Sequence, residues 1–298
     1  MVAAAFGWNT GGHMVSGAIA YHVLSAEHPD TIPKVTALLR EHPDFEHRWR
    51  HRIQESYVAA DEQDLYLFML AARWADDARD DRRFYPPEEQ RERWHFVNLP
   101  VRFSDGPPPP AEDPVNIFRG YAVNLATVKD ESIPAPQRAV ALAWLFHLVG
   151  DVHQPLHVAS LYSSEYPSGD RGGNRFYIRV QSDRGVISLH QFWDDLIIGS
   201  NRFQDTRNRA TELRLRPEFQ RVKLTELARA DFESWAVKES FLLATKQAYW
   251  NGDLAGSSVR TDAPVLPPEY VSNAKAVAER RIVLAGYRLA ALLKELFP

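Results

Sequence analysis

Residues 139–157 read AVALAWLFHLVGDVHQPLH, an apolar helical stretch with ionisable side chains set inside it. Burying Asp151 there without a partner would cost several kcal/mol, so the fold must bring positive charge to this segment. His147 and Asp151 stand at i and i+4, one turn apart on a common face, where imidazole and carboxylate can reach one ion. Pro155 ends the helix and turns the chain, which brings His157 in from another direction. A lone histidine on an apolar helix is usually a hydrogen-bonded core residue. A cluster of this kind is harder to explain in that way, and a metal ion would offset the burial cost.

The same spacing recurs. His190 and Asp194 in SLHQFWDD repeat i, i+4 at a helix start, and Asp76 in RWADDAR, His95 in RWHFVNLP and His13 in WNTGGH are further candidates. The chain has no cysteine, so thiolate nucleophiles, disulfides and cysteine metal sites are excluded, and any metal must take histidine and carboxylate ligands. A formal charge of −4 argues against a broad duplex-coating surface. Affinity for phosphate must be local.

The 298 residues, 45% hydrophobic, suffice for one substantial core, and no apolar run approaches the length of a membrane span. Helical periodicity predicts helices over 13–27, 33–41, 64–80, 115–131, 135–154, 188–199, 204–214, 224–249 and 268–296. On the helix over 64–80, Asp76 lies close to the inward stripe of Leu65, Phe68, Met69, Ala72 and Ala75. Residues 103–114, with four consecutive prolines, read as an extended surface loop. Segments 174–180 and 185–189 read as a small hairpin. The fold class is therefore all-α, a single mainly helical domain with one small β-hairpin. Met1–Gly7 are small and apolar but carry no charged n-region, which fits either the remnant of a signal peptide or a loose N-terminus.

Taken in order, Trp8, His13, WAD at Asp76, HF at His95, the HxxxDxHQPLH run, DRGGN at 170–174, the HxxWD run and AGYRLA at 285–290 resemble the S1/P1 nuclease family. That family shares its fold and metal cluster with bacterial zinc phospholipase C. The resemblance spans Trp8 to nearly the last residue and implies one catalytic domain over 8–298 that binds three zinc ions. One set of ligands would be Asp76, His95, His147 and Asp151. A second would be His157, His190 and Asp194. The third would be Trp8, through its α-amino group and carbonyl oxygen, with His13 and a bridging Asp151. Such a centre is about three units positive before hydroxide binds, which would attract a phosphodiester to an acidic protein.

By the same resemblance, the reaction is endonucleolytic hydrolysis of single-stranded DNA and RNA to 5′-phosphorylated products, by hydroxide made available through metal coordination. A 3′-nucleotidase activity is left open. Arg79 matches a phosphate-stabilising arginine, although an exposed helix arginine among the charges DDARDDRR is nearly as good a reading. Phe96 matches a base-stacking aromatic, with core packing as the even alternative. Asn98 stands where the fungal enzymes carry an aspartate, so it can hydrogen-bond but cannot take a proton as a carboxylate does. His153 reads as structural, His47 and His51 as a decoy pair among repelling arginines, and His22, His28 and His42 as surface or packing residues.

Two other classes stay in view. A zinc phospholipase C would share the cluster, but its pattern has a longer insertion after the N-terminal tryptophan and a closing glutamate where Asp194 stands. A non-catalytic domain stapled by zinc would need a missing ligand, and none is missing. Substrates would be single-stranded nucleic acid and nucleotides. No partner protein is evident, a monomer is expected, and location is expected to be secreted or periplasmic.

Overall fold

The structure is a computed structural model that describes residues 8–298; Met1–Gly7, read above as a leader remnant or loose terminus, lie outside the described residues. Helix α1 (Thr10–Glu27) starts on Asn9, whose side chain accepts from the Gly12 N–H at 2.9 Å. That cap satisfies one of the orphan donors of the first turn. The Asn9 amide also donates to Asp195 and to the Ile198 carbonyl, which ties the start of α1 to a distant part of the chain.

Helices α2 (Thr31–Arg40), α3 (Arg50–Glu55) and α4 (Gln63–Asp77) follow, then α5 (Ile117–Lys129) and α6 (Ala135–Asp151). Helix α6 is buried on every side from Ala141 to Asp151, packed on α4 and α5. Helix α1 lies against α4, α8 (Phe203–Leu215) and the long α11 (Pro268–Leu296). The main core is built from these helices, and a second cluster of buried side chains gathers around Trp193, Tyr249 and Tyr270. No helix among the described residues is long and apolar enough to cross a membrane.

The mainly helical class holds, with three differences in detail. First, besides the expected hairpin of β3 (Tyr177–Ile178) and β4 (Ile187–Ser188), strands β1 (Leu99–Val101) and β2 (Ala159–Leu161) pair in parallel. Three-residue strands far apart in sequence carry no periodic signal. Second, the expected helix over 224–249 is broken. A 3₁₀ turn at Thr225–Ala228 ends before Asp231, whose carboxylate caps the new start by accepting from the Ser234 N–H. The rod that follows alternates α9 (Phe232–Trp235) and α10 (Phe241–Leu243) with π-turns at Ala236–Ser240 and Ala244–Ala248. Third, the helix read over 64–80 stops at Asp77, and that read over 188–199 shortens to α7 (Leu189–Asp194).

Candidate metal centre

The apolar packing of α6 places His147 and Asp151 at the centre of the molecule, both fully buried. Asp76 reaches them from the last turn of α4, and His13 from the first turns of α1. Gly150 makes room for His13, because a Cβ at that position would lie 2.7 Å from His13 Nδ1. His95 arrives just before β1 and His157 just before β2. The parallel pairing joins those two: Val97 N–H donates to the His157 carbonyl, and His157 Nδ1–H donates to the His95 carbonyl at 2.7 Å. His190 and Asp194 come from α7.

Three groups of ligand-type atoms result: His13, His147 and Asp151; Asp76, His95 and His147; and His157, His190 and Asp194. The two oxygens of Asp151 face different ways. Oδ2 lies 3.0 Å from His95 Nδ1 and 3.1 Å from His147 Nε2, whereas Oδ1 lies 3.2 Å from His13 Nε2 and 3.7 Å from His157 Nδ1. Ligands about 2.0–2.1 Å from a tetrahedral zinc are about 3.3 Å from one another, so the edges from Asp151 to His13, His95 and His147 suit that ion.

The tautomers point the same way. His147 Nδ1–H donates to the Ala72 carbonyl at 2.9 Å, and His190 Nδ1–H donates to the Gly172 carbonyl at 2.6 Å. Tyr85 O–H donates to the Ala75 carbonyl, so its oxygen accepts from His95 Nε2–H at 2.7 Å. The opposite nitrogen of each ring is left as a bare acceptor, the arrangement found in metal-binding histidines. His95 Nδ1 and His147 Nε2, both lone-pair atoms by this count, stand 3.0 Å apart. Both ring nitrogens of His13 and Oδ1 of Asp151 are buried without a hydrogen-bond partner. Acceptors facing acceptors in a buried site call for a cation.

The electrostatics agree. Burial drives His95 down to about 3, with Arg79 adding to the effect, and burial and His147 lower His13, so both rings stay neutral. Burial opposes ionisation of Asp151, but His147 and His157 hold its carboxyl well below the usual range. Asp76 is lowered against the same penalty, chiefly by Arg79. His147 is raised despite burial because Asp151 and Asp76 draw positive charge toward it. Asp194 moves the other way: burial pushes it well above the carboxylate range, and Asp195, Asp76 and Asp151 add to this.

The remaining candidates fall around this centre. Trp8 is buried, with its Nε1–H on the Gly150 carbonyl at 3.1 Å, and the next residue's N–H donates to the Asp194 carbonyl. Arg79 is not an exposed helix arginine: it is mostly buried and bonds Asp76 through Nε at 2.9 Å and Nη2 at 2.7 Å. Arg79, Phe96 and Asn98 all line a cleft of about 930 Å³ that reaches His190. Phe96 is half-buried on the wall of that cleft rather than packed in the core. His153 points away from the cluster, its Nδ1–H on Val149 and its Nε2 accepting from Arg288. His51 pairs with Glu55 on the surface, and His42 packs on Trp49, both apart from the centre.

Tyr85 and Gln154 escaped the reading of the sequence. Gln154 donates to Asp194 at 2.8 Å and orients that carboxylate as Tyr85 orients His95. Gln154 sat in view inside HQPLH, but nothing in the local pattern marks Tyr85. The DRGGN turn has a local logic too. Its Gly172 adopts φ +61° and a Cβ there would meet the Leu156 carbonyl at 2.4 Å, so only glycine lets the turn present its carbonyl to His190.

A mainly helical fold encloses three groups of histidines and aspartates that could hold metal, beneath a cleft. The S1/P1 Nuclease family model matches residues 8–298, and the chain belongs to that family, whose members are zinc-dependent phosphodiester hydrolases. Among curated proteins the chain is similar to Endonuclease 4 of Arabidopsis thaliana, 32% identical over 170 residues, or 53% of this chain and 50% of that protein. It is similar also to Endonuclease 3 of the same plant, 32% identical over 170 residues, with 53% and 51% covered. Endonuclease 2 aligns at 29% over 190 residues, 59% of each. The matched stretch thus spans about half the length of the first relatives.

Proposed function

We propose that residues 8–298 form one catalytic domain, a zinc endonuclease that hydrolyses phosphodiester bonds of single-stranded DNA and RNA and leaves 5′-phosphorylated products. The observation that carries this reading is the pair of bare ring nitrogens, His95 Nδ1 and His147 Nε2, 3.0 Å apart beside the two-faced carboxylate of Asp151. Asp76, His95, His147 and Asp151 would hold one ion, and His157, His190 and Asp194 a second. A third would sit on His13 and Asp151 with the carbonyl of Trp8 and the α-amino group that Trp8 gains once Met1–Gly7 are removed. Zinc supplies Lewis acidity toward phosphate and hydroxide near neutral pH.

The chain's own groups do the rest. Asp151 offers one oxygen to each side and so fixes the spacing of two sites. Arg79, held by Asp76 at the cleft, presents guanidinium charge to a phosphate there. Phe96 offers an aromatic face to an unpaired base, which a duplex would hide. Asn98 is exposed beside it and can both donate to and accept from a base edge. The same centre admits removal of a 3′-phosphate from nucleotides as a second activity. Action on single strands outside the cell or in the periplasm fits a family whose members are typically secreted.

The test uses one hairpin oligonucleotide. Zinc-loaded protein should cut the loop and spare the stem; equal cutting of both would refute the stacking argument. Hydrolysis of phosphatidylcholine with none of the oligonucleotide would turn the reading to a phospholipase.

A further inference from the structure

The cleft over the metal centre does not end at Phe96. A second cavity of about 290 Å³, near the lower size of small-molecule sites, shares Ser168, Arg175 and Tyr177 with it, so the two adjoin. Asp80, Glu92, Glu112 and Asp113 line the larger cleft, and so do Arg171 and Arg175. Both arginines are exposed, and neither takes part in an ion pair among the described residues. In a chain of net charge −4, two exposed guanidinium groups on the lining of one cleft make a local anion track.

That track is built rather than loose. Arg171 is held with φ +57°, a backbone region uncommon outside glycine. Its N–H donates to Ser160 Oγ at 3.1 Å, and the buried Asp170 beside it accepts from the Leu161 N–H at 2.9 Å and from Tyr249 O–H at 2.8 Å. Strain of this kind persists where the surroundings over-determine it, and it clusters at binding sites. The far cavity is lined by Tyr166, Tyr177 and Glu165, and the Tyr166 ring is buried against Phe176. A pocket lined by two tyrosines, reached past two arginines, has the chemistry of a nucleoside site following a phosphate.

We propose that Arg171 and Arg175 bind the backbone of a single strand beyond the scissile nucleotide and lead its next base into the Tyr166 pocket. The proposal rests on the nuclease reading above. It makes the protein a reader of strand length: each phosphate engaged by an arginine on a single strand contributes about 0.7 to the slope of log affinity against log salt.

The test is fluorescence anisotropy with zinc-loaded protein and labelled phosphorothioate oligothymidylates of two and five nucleotides, across a salt series. The pentamer should bind more tightly than the dimer. The double variant Arg171→Ala/Arg175→Ala should bind the pentamer roughly tenfold more weakly and flatten its salt slope by about 1.4. Arg175→Lys alone should keep the slope. Arg184→Ala removes a like charge from the hairpin turn outside the cleft and should change neither quantity. Equal affinity for the two lengths, or a pentamer slope unchanged in the double variant, overturns the subsite. Wild-type cutting of DNA alongside such a result leaves the nuclease reading intact. A length effect lost in the double variant without any hydrolysis supports the subsite and sinks the nuclease reading instead.

Discussion

Two buried ionic clusters lie next to each other in this molecule and are satisfied in opposite ways. Around Glu239, on the π-turn of the rod, the protein supplies its own counter-charges. Arg281 donates to the carboxylate at 2.5 Å, Arg288 at 2.7 and 2.8 Å, and Arg281 also reaches Ser240 Oγ and the His153 carbonyl. Donors meet acceptors there, and of the two guanidinium groups only the Arg288 Nε is without a partner. Around Asp151, two residues before His153, acceptors meet acceptors, and His13 and Asp151 keep buried atoms without partners. One cluster is complete as polypeptide, while the other leaves acceptors that a cation would complete. Buried charge alone therefore does not mark a functional site; mismatch in donor and acceptor count does.

The contrast breaks first at Glu239. Glu239→Ala leaves Arg281 and Arg288 buried and unpaired, so stability should fall by about 3–5 kcal/mol. Denaturant unfolding measures this, and zinc content of the folded fraction should stay unchanged. Loss of zinc with stability preserved would mean that the two clusters are not separate.

Asp151→Asn tests the other side. Removing a group that supports metal ligands from behind costs about 10–100-fold, so loss of a charge shared by two sites should lower turnover by more than about 100-fold. It should release more zinc than Asp76→Asn or Asp194→Asn, with the fold kept where zinc is plentiful. His51→Ala, on the surface beside Glu55, should change neither rate nor metal. Near-normal turnover and full metal content in Asp151→Asn would rule out the shared role.

Tyr85→Phe sharpens the comparison within the centre. It deletes the oxygen that accepts from His95 Nε2–H, so the ring loses its anchor while every ligand remains. Zinc affinity, measured by competition with a chelating dye, should weaken by about tenfold. An unchanged affinity would show that packing alone orients His95.

The smallest effect is a pH dependence. Burial would raise the Glu239 carboxyl, but Arg288 and Arg281 hold it below its ordinary value. A depressed folded-state pKa contributes stability that is fully present above the unfolded value of about 4.3 and is lost as pH falls through the folded one. In metal-free protein, acid unfolding of Glu239→Gln should lack that component of the slope below about pH 4. Identical slopes for variant and wild type would mean that the arginines do not set the carboxyl.

Much of the centre was legible because helical spacing is local. His147 with Asp151, and His190 with Asp194, follow from one turn of a helix, and apolar neighbours announce their burial. Asp76 was legible from the stripe of its own helix. What joins these pieces was not. The β1–β2 pairing, which brings His95 beside His157, depends on strands too short to show a period, and the break before Asp231 depends on a single capping carboxylate. Tyr85 reaches His95 across a loop, and Glu239 meets Arg281 and Arg288 from another element. Such contacts are set by packing rather than by local pattern.

Metal is expected to complete the buried acceptors of the Asp151 cluster. Elemental analysis by inductively coupled plasma mass spectrometry, on active protein whose chain begins at Trp8, measures that directly. About three zinc ions per chain are expected, lost together with activity on chelation and regained together on re-addition. A stoichiometry near one, or full activity after the metal is removed, would contradict it.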